Sequence, residues 1–211
     1  MKIALINENS QASKNEMIYG CLSKVAQQYG HEVINFGTYN ADDPCQLTYV
    51  EVGLLSAILL NTKAVDFIVT GCGTGEGAML ACNSFPNVLC GHVVDPSDAY
   101  MFMQINDGNV ASFPFAKGFG WGAELNLEYC FHQLFSSPAG NGYPKERAVP
   151  EKRNKKILDE VKKITHQDML TIVKNIDQEF LKHTISGENF KKLFIENAQP
   201  CDLTDYIKSV L

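Results

Sequence analysis

The chain has 211 residues, of which 45% are hydrophobic and 20% charged, and its formal net charge is −6 at pH 7. This composition is typical of one globular domain, or one domain with an appendage, that can bury a core. The acidic balance argues against a nucleic-acid partner, and no apolar run reaches the ~18 residues that would cross a membrane. The N-terminus predicts a strand instead of a signal peptide, so we expect a cytoplasmic protein. Seven cysteines without ligand spacing argue against a disulfide framework or a metal site.

In chain order, short apolar runs alternate with segments of helical pattern. The predicted strands are residues 2–7, 31–37, 64–71, 87–95 and 109–115. A capping-box pattern at Ser13 and Glu16 predicts the start of the first helix. The further predicted helices are residues 47–61, 75–83, 96–105 and 121–135.

This alternation predicts an α/β fold. Because the strands are apolar on both faces, we expect a doubly wound, Rossmann-like, five-stranded parallel sheet with helices on both faces. Such sheets bind ligands at the carboxyl ends of their strands. Residues 7–9, residues 71–77, Asp95 and Asn106 are therefore expected at or near one edge of the sheet.

The last part of the chain differs in composition. Residues 136–156 are rich in proline, glycine and charge, and five short amphipathic helical patterns follow them. We expect an α/β domain over residues 1–150 and a helical C-terminal extension over residues 151–211. The extension should cap the site or enlarge a subunit interface.

The most informative segment is the loop after the third predicted strand, which carries glycine at every second position: Gly71, Gly73, Gly75 and Gly77. Free N–H groups at a helix N-terminus carry partial positive charge, and glycine lets the backbone approach a ligand closely. The loop is therefore suited to bind an anion, either a phosphate or the oxygen of an enediolate.

Two interpretations of this loop are open. The run Gly73-x-Gly75-x-x-Ala78 fits a dinucleotide fingerprint, with Asp95 about 20 residues further on to bind a ribose. That fingerprint normally follows a first strand, however, and here it follows the third. The other interpretation uses side chains at a helix N-terminus, where a thiolate is favoured, and these belong to Cys72, Thr74 and Glu76.

The order of several motifs resembles the family of ribose-5-phosphate isomerase type B and galactose-6-phosphate isomerase. The motifs that carry the resemblance are "GHEVINFGTY" (30–39), "GCGTGEG" (71–77), "ACNSFPNV" (81–88), "DPSDA" (95–99) and "INDGNV" (105–110). The resemblance covers about residues 1–150, and the tail lies outside it. It implies a doubly wound fold, a homodimer with active sites between subunits, and no metal or organic cofactor.

The resemblance also implies an aldose–ketose isomerase that acts through a cis-enediolate. The catalytic residues would be Cys72, Thr74 and Glu76. Some members use a thiolate at the Cys72 position to move the proton, another subgroup uses a glutamate at the Glu76 position, and this chain carries both residues. We expect Cys72 to be the base and Glu76 to have a supporting role. The substrate-binding residues would be Glu8, Asn9, Gly73, Gly75, Gly77, Asn106, Asp107, Lys117, Lys145 and Arg147.

Three positions depart from the family pattern. Glu8-Asn9 stands where the family usually has Asp-His, Ile105 replaces the ring-opening histidine, and Tyr143 replaces one of two phosphate-binding arginines while Arg147 keeps the other. We therefore expect a phosphorylated or otherwise acidic pentose or hexose, and not necessarily ribose 5-phosphate. The alternatives are an NAD-dependent oxidoreductase and a non-catalytic sugar-phosphate-binding protein.

Overall fold

The computed structural model describes all 211 residues and contains one five-stranded sheet. The strands are β1 (Lys2–Asn7), β2 (Glu32–Asn35), β3 (Phe67–Cys72), β4 (Cys90–His92) and β5 (Val110–Pro114). All pairs are parallel, and the order across the sheet is β2-β1-β3-β5-β4. The predicted fold class is confirmed, and each strand falls within or next to its predicted range.

Ten α-helices accompany the sheet: α1 (Asn15–Gln28), α2 (Tyr49–Asn61), α3 (Glu76–Asn83), α4 (Pro96–Met101), α5 (Ala123–Phe135), α6 (Ala148–Thr165), α7 (Met169–Asn175), α8 (Gln178–Thr184), α9 (Glu188–Asn197) and α10 (Asp202–Val210). The capping box predicted at Ser13 and Glu16 was wrong. A 3-10 helix over Asn9–Lys14 leads directly into α1, and the N–H of Asn15 bonds to the carbonyl of Ala12 instead of to a side chain. No helix combines the length and apolar character that crossing a membrane requires.

The two faces of the sheet are covered by different helices because strand side chains alternate. Ile3 and Leu5 of β1 pack with α1 and α5 in one core, whereas Ala4 and Ile6 pack on the opposite face with α2. All four residues are completely buried. This double burial explains the near-continuous apolar sequence of the central strands.

Helix α2 is itself covered on both sides. Its residues 51–59 are all buried, which is expected of a helix that is hydrophobic around its whole circumference. The sheet covers one side, and the C-terminal extension covers the other with a set of buried apolar residues that join the same core: Met169, Val173, Leu181, Ile185, Phe190, Phe194, Leu203 and Ile207. The extension is therefore packed into the core of the α/β part.

The strand register separates two groups of predicted site residues. Asn7 pairs with Gly71 and Cys72 pairs with Pro114, so these residues mark the carboxyl edge of the sheet. Asn106 precedes β5, which begins at Val110, and therefore lies at the amino edge. The expectation that Asn106 lies at or near the carboxyl edge was wrong, because a residue that precedes a parallel strand lies at the amino edge of the sheet.

Candidate active site

The carboxyl ends of β1 and β3 form the crevice where the direction of the chain across the sheet changes. From β1 the chain proceeds outward to β2, and from β3 it proceeds to β4 and β5 on the other side. Ligands of open α/β sheets bind at such switch points. Glu8 follows β1 here and Cys72 ends β3, and Glu8 is only 7% exposed.

Cys72 is the last residue of β3 and is 8% exposed. The backbone N–H of Gly75 donates to its Sγ at 3.2 Å, and the hydroxyl oxygen of Thr74 lies 4.0 Å from the same atom. A thiolate is stabilised by such an N–H donor next to the start of a helix. The geometry therefore holds the thiol in position at the start of α3.

The shape of the glycine loop depends on β4 and β5. Gly75 has a φ of +78°, and a Cβ placed there would lie 2.8 Å from the ring of His92 and from the backbone of Phe113. The Ser112 hydroxyl donates to the carbonyl of Gly75 at 2.6 Å, and the His92 ring nitrogen Nε2 lies 2.9 Å from the carbonyl of Thr74. Neither His92 nor Ser112 was among the site residues predicted from the sequence. Their only sequence signal is a polar residue within an apolar strand.

Thr74 and Glu76 lie at the open side of this loop. The N–H of Glu76 donates to the Thr74 hydroxyl oxygen at 3.3 Å, so that hydroxyl supports the first turn of α3. The side chain of Glu76 is 59% exposed, and its carboxylate is 3.9 Å from the ammonium group of Lys117. Exposed pairs of this kind contribute little to stability. Lys117 follows β5, and it therefore lies at the same edge as Cys72.

The loop after β1 contains a connected set of polar side chains. Ser10 donates to the Glu8 carboxylate at 2.6 Å, Gln11 donates to the Ser10 hydroxyl at 2.9 Å, and Lys14 donates to Gln11 Oε1 at 2.7 Å. Partial burial lowers the pKa of Lys14. Asn9 bonds through its backbone to the carbonyl of Leu47. These hydrogen bonds hold the Glu8 carboxylate beside the crevice, and the sequence did not predict this arrangement.

The remaining predicted residues form a second group. Asn106 ends the π-helical segment Phe102–Asn106, and the N–H groups of Gly140 and Gly142 bond to carbonyls of that segment. These bonds hold residues 140–142 beside the segment that Asn106 ends, and the exposed residues Lys145 and Arg147 follow them in the chain. The second group therefore consists of Asn106, Asp107, Lys145 and Arg147, and the register separates Asn106 and Asp107 from Cys72 within one chain.

The dinucleotide interpretation gave Asp95 the task of binding a ribose. The structure instead uses Asp95 as the N-cap of α4, where it accepts bonds from the N–H of Asp98 and the hydroxyl of Ser97. These bonds lower the pKa of the Asp95 carboxyl group. No group of three or more His, Cys, Asp or Glu side chains is arranged to hold a metal ion.

A family model described as Ribose/Galactose Isomerase matches residues 3–130, which is more than half of the chain. The chain belongs to this family. A second family model, described as Ribose-5-phosphate isomerase, matches residues 164–210. The resemblance inferred for about residues 1–150 is confirmed, and it extends into the C-terminal helices as well.

Two solved structures resemble this isomerase over its whole length. A 4-deoxy-L-threo-5-hexosulose-uronate ketol-isomerase complexed with a tartrate is 62% identical, with a TM-score of 0.97, over 100% of this chain and 99% of that chain. A ribose-5-phosphate isomerase from Vibrio parahaemolyticus is 48% identical, with the same TM-score and coverage. The type B ribose 5-phosphate isomerase of Trypanosoma cruzi is 20% identical, with a TM-score of 0.63 over 77% of this chain and 98% of that chain. At this identity the likeness supports only a shared fold. The protein is thus a sugar isomerase of the aldose–ketose type.

Proposed function

We propose that this isomerase acts on 4-deoxy-L-threo-5-hexosulose uronate, an acidic hexose derivative without phosphate. The observation that carries the proposal is the 62% identity, over the whole chain, to a ketol-isomerase of that sugar. The ribose-5-phosphate isomerase from Vibrio parahaemolyticus is less similar, at 48% identity. Of the phosphorylated and acidic sugars expected from the sequence, the acidic hexose is therefore favoured.

The chemistry of this sugar accounts for two departures from the family pattern. Its name places an aldehyde at C1, a ketone at C5, a carboxylate at C6 and no hydroxyl at C4. The aldehyde therefore lacks the C4 and C5 hydroxyls with which aldoses close five- and six-membered rings, so a ring-opening histidine is unnecessary and Ile105 can take its place. A carboxylate also carries less charge than a phosphate, which agrees with Tyr143 in place of one arginine.

In the proposed reaction, the Cys72 thiolate removes the proton from C2 and returns it to C1, while a proton moves from O2 to O1. The intermediate is a cis-enediolate. Backbone N–H groups of the loop from Gly73 to Gly77 bind its oxygens, since fixed donors stabilise charge as it develops. Glu76 is exposed and directed toward Lys117, so we assign it to a substrate hydroxyl instead of to the carbon-bound proton.

The proposal includes a homodimer with shared sites. Within one chain, the crevice at Cys72 is not lined by Asn106, Asp107, Lys145 or Arg147. Asn106 and Asp107 lie at the amino edge of the sheet. Lys145 and Arg147 follow residues 140–142, which are hydrogen-bonded to the segment that Asn106 ends. A second copy would bring its own second group over the crevice. Helix α6 supports this arrangement, because none of its residues is buried and one of its faces exposes Ile157 (55%), Val161 (45%) and Ile164 (84%) at helical spacing. Apolar surface of this kind marks an interface.

A substrate panel in deuterated water tests the proposed function. The panel contains the 4-deoxy uronate, ribose 5-phosphate and galactose 6-phosphate, and the Cys72→Ala variant is the control. We expect the highest kcat/KM with the uronate and solvent deuterium at C1 of the product, because the enediolate is protonated from an exchangeable thiol. A preference for a sugar phosphate would contradict the substrate assignment. Turnover of no panel member would favour the non-catalytic alternative, and turnover only with NAD would favour the oxidoreductase.

A further inference from the structure

The C-terminal extension contacts the N-terminus of α2 through a partly buried hydrogen bond. His183 of α8 bonds through Nδ1 to the carboxylate oxygen Oε1 of Glu51, and Glu51 is only 5% exposed. The other oxygen of Glu51 accepts from the backbone N–H of Thr48 at 2.7 Å and from its hydroxyl at 2.8 Å. Glu51 and Thr48 thus form the capping box that starts α2, and a residue of the extension completes it.

A second contact joins the extension to the segment just before α2. The hydroxyl of Ser186 donates to the sulfur of Cys45 at 3.5 Å, and the Cys45 thiol lies 3.8 Å from the carbonyl of His183. The chain from Cys45 to Glu51 is therefore held at both ends by the last turn of α8 and the residues that follow it. This segment contains Tyr49, the first residue of α2.

Tyr49 lies next to the candidate nucleophile. A Cβ placed on Gly77 would be 3.3 Å from Cδ2 of the Tyr49 ring and 3.7 Å from the Cys72 sulfur, so the ring and the thiol are neighbours across Gly77. Tyr49 is nevertheless 47% exposed. The hydrogen bonds at this end of α2 use Thr48 and Glu51 and do not involve the Tyr49 hydroxyl. An exposed aromatic ring beside a reactive thiol is available to a ligand.

We propose that Tyr49 contacts the substrate and determines specificity, and that His183 is a positioning residue that acts on Tyr49 through Glu51. This inference rests on the proposed function for the identity of the sugar. If Cys72 works at C1 and C2, the neighbouring ring faces the carbons that follow. The C4 methylene of a 4-deoxy sugar is apolar and packs well against an aromatic face, whereas a C4 hydroxyl would lose water there without a partner.

The test is a double-mutant cycle read as separate kcat and KM values on the sugar that the wild-type enzyme turns over. We expect Tyr49→Ala to raise KM by about 10-fold with kcat changed less than about 3-fold, because binding contacts away from the reacting atoms act on KM. His183→Ala should raise KM in the same direction, by about 3-fold or more. The Tyr49→Ala, His183→Ala double variant should have the KM of Tyr49→Ala alone, since one residue acts through the other.

Three controls keep the outcome clear. His183→Asn retains an N–H donor near the Nδ1 position and should restore the wild-type KM. Lys182→Ala removes only an exposed pair with Glu179 on the same helix and should change neither constant. If His183→Ala fails to fold, Glu51→Gln is used in the cycle in its place, because it keeps an acceptor for Thr48.

Several results would overturn the inference. An unchanged KM in Tyr49→Ala would show that the ring does not contact the substrate. If the rise in KM of the double variant equals the product of the two single-variant rises, His183 acts independently of Tyr49. A lower melting temperature of His183→Ala with an unchanged KM would assign His183 a purely structural role. Failure of the proposed function is recognised separately, because the wild-type enzyme would then prefer a sugar phosphate, and the same KM comparison is made with that sugar.

Discussion

The backbone N–H of Gly75 donates to the sulfur of Cys72 at 3.2 Å, so the first turn of α3 and the end of β3 meet at the thiol. Gly75 can provide this donor because its φ of +78° turns the chain sharply after the strand. The contact links the reactivity of one side chain to the conformation of a glycine three residues away. It also gives the glycine loop a function that side-chain inspection alone does not show.

Replacement of Cys72 tests the proton transfer. Cys72→Ala should lower kcat by about 100-fold or more, the usual lower range for loss of a general base, whereas Glu76→Gln should cost less. Steady-state kinetics on the preferred sugar measures both. If Cys72→Ala stays active and Glu76→Gln is inactive, the two assignments are reversed. If both variants stay active, the isomerase mechanism proposed for this site is wrong.

Replacement of Gly75 tests the loop geometry. Gly75→Ala should destabilise the protein by about 1–2 kcal/mol or more, because L-residues are strained at this φ and the new Cβ would meet His92 and Phe113 at 2.8 Å. Activity should fall as well, since the N–H donor to Cys72 moves. Gly20→Ala in α1 is the control. No atom lies within 4 Å of its new Cβ, so it should be stabilising by about 0.5–1 kcal/mol. Denaturant unfolding distinguishes the two, and equal effects would contradict the geometry.

Thiol labelling tests which cysteine is reactive. Burial raises the pKa of Cys130 to about 12 and that of Cys90 well above its ordinary value, so both remain protonated and inert at pH 8. In a background where the more exposed Cys45 and Cys201 are serine, iodoacetamide should inactivate the enzyme in step with labelling of Cys72, as mapped by mass spectrometry. Inactivation that follows labelling of another cysteine would contradict this assignment.

Mixed dimers test whether the site is shared. Cys72→Ala and Asn106→Ala should each be nearly inactive alone. Co-expressed in equal amounts, they should recover about one quarter of wild-type activity, because half of the dimers are mixed and each mixed dimer has one intact site of two. Two differently tagged chains allow the mixed dimers to be purified and assayed. No recovery in purified mixed dimers, or a monomer in light scattering, would exclude a shared site.

The core position of the extension predicts its effect on stability. Phe194 of α9 is completely buried and stacks on Phe190 at 5.3 Å, so Phe194→Ala should cost about 3–5 kcal/mol. The neighbouring Ile195 is 57% exposed, and Ile195→Ala should change stability by less than about 0.5 kcal/mol. Unfolding should remain a single transition because α2 shares its core with the extension. Separate melting of the extension would contradict this and identify an independent appendage.

The sequence by itself determined the sheet, the covering helices and the loop that carries Cys72. Strands buried on both faces must be apolar throughout, and helices with one packed face must carry apolar residues about every 3.6 positions. Both patterns can be recognised in a short stretch of sequence. The glycine at every second position after β3 likewise identified the ligand edge. The family resemblance was also present in linear motifs, because they follow the strands that build the site.

Tertiary structure alone decided which residues meet. The parallel direction of β5 placed Asn106 at the edge opposite Cys72, although both motifs had been expected together. Tyr49 and His183 are separated by most of the chain, yet both lie at the start of α2 because its apolar circumference requires a cover on each side. Such contacts depend on the packing of whole elements, and no local pattern encodes them. The sequence therefore specified the reactive loop, while the packing of α2 and the sheet direction decided its surroundings.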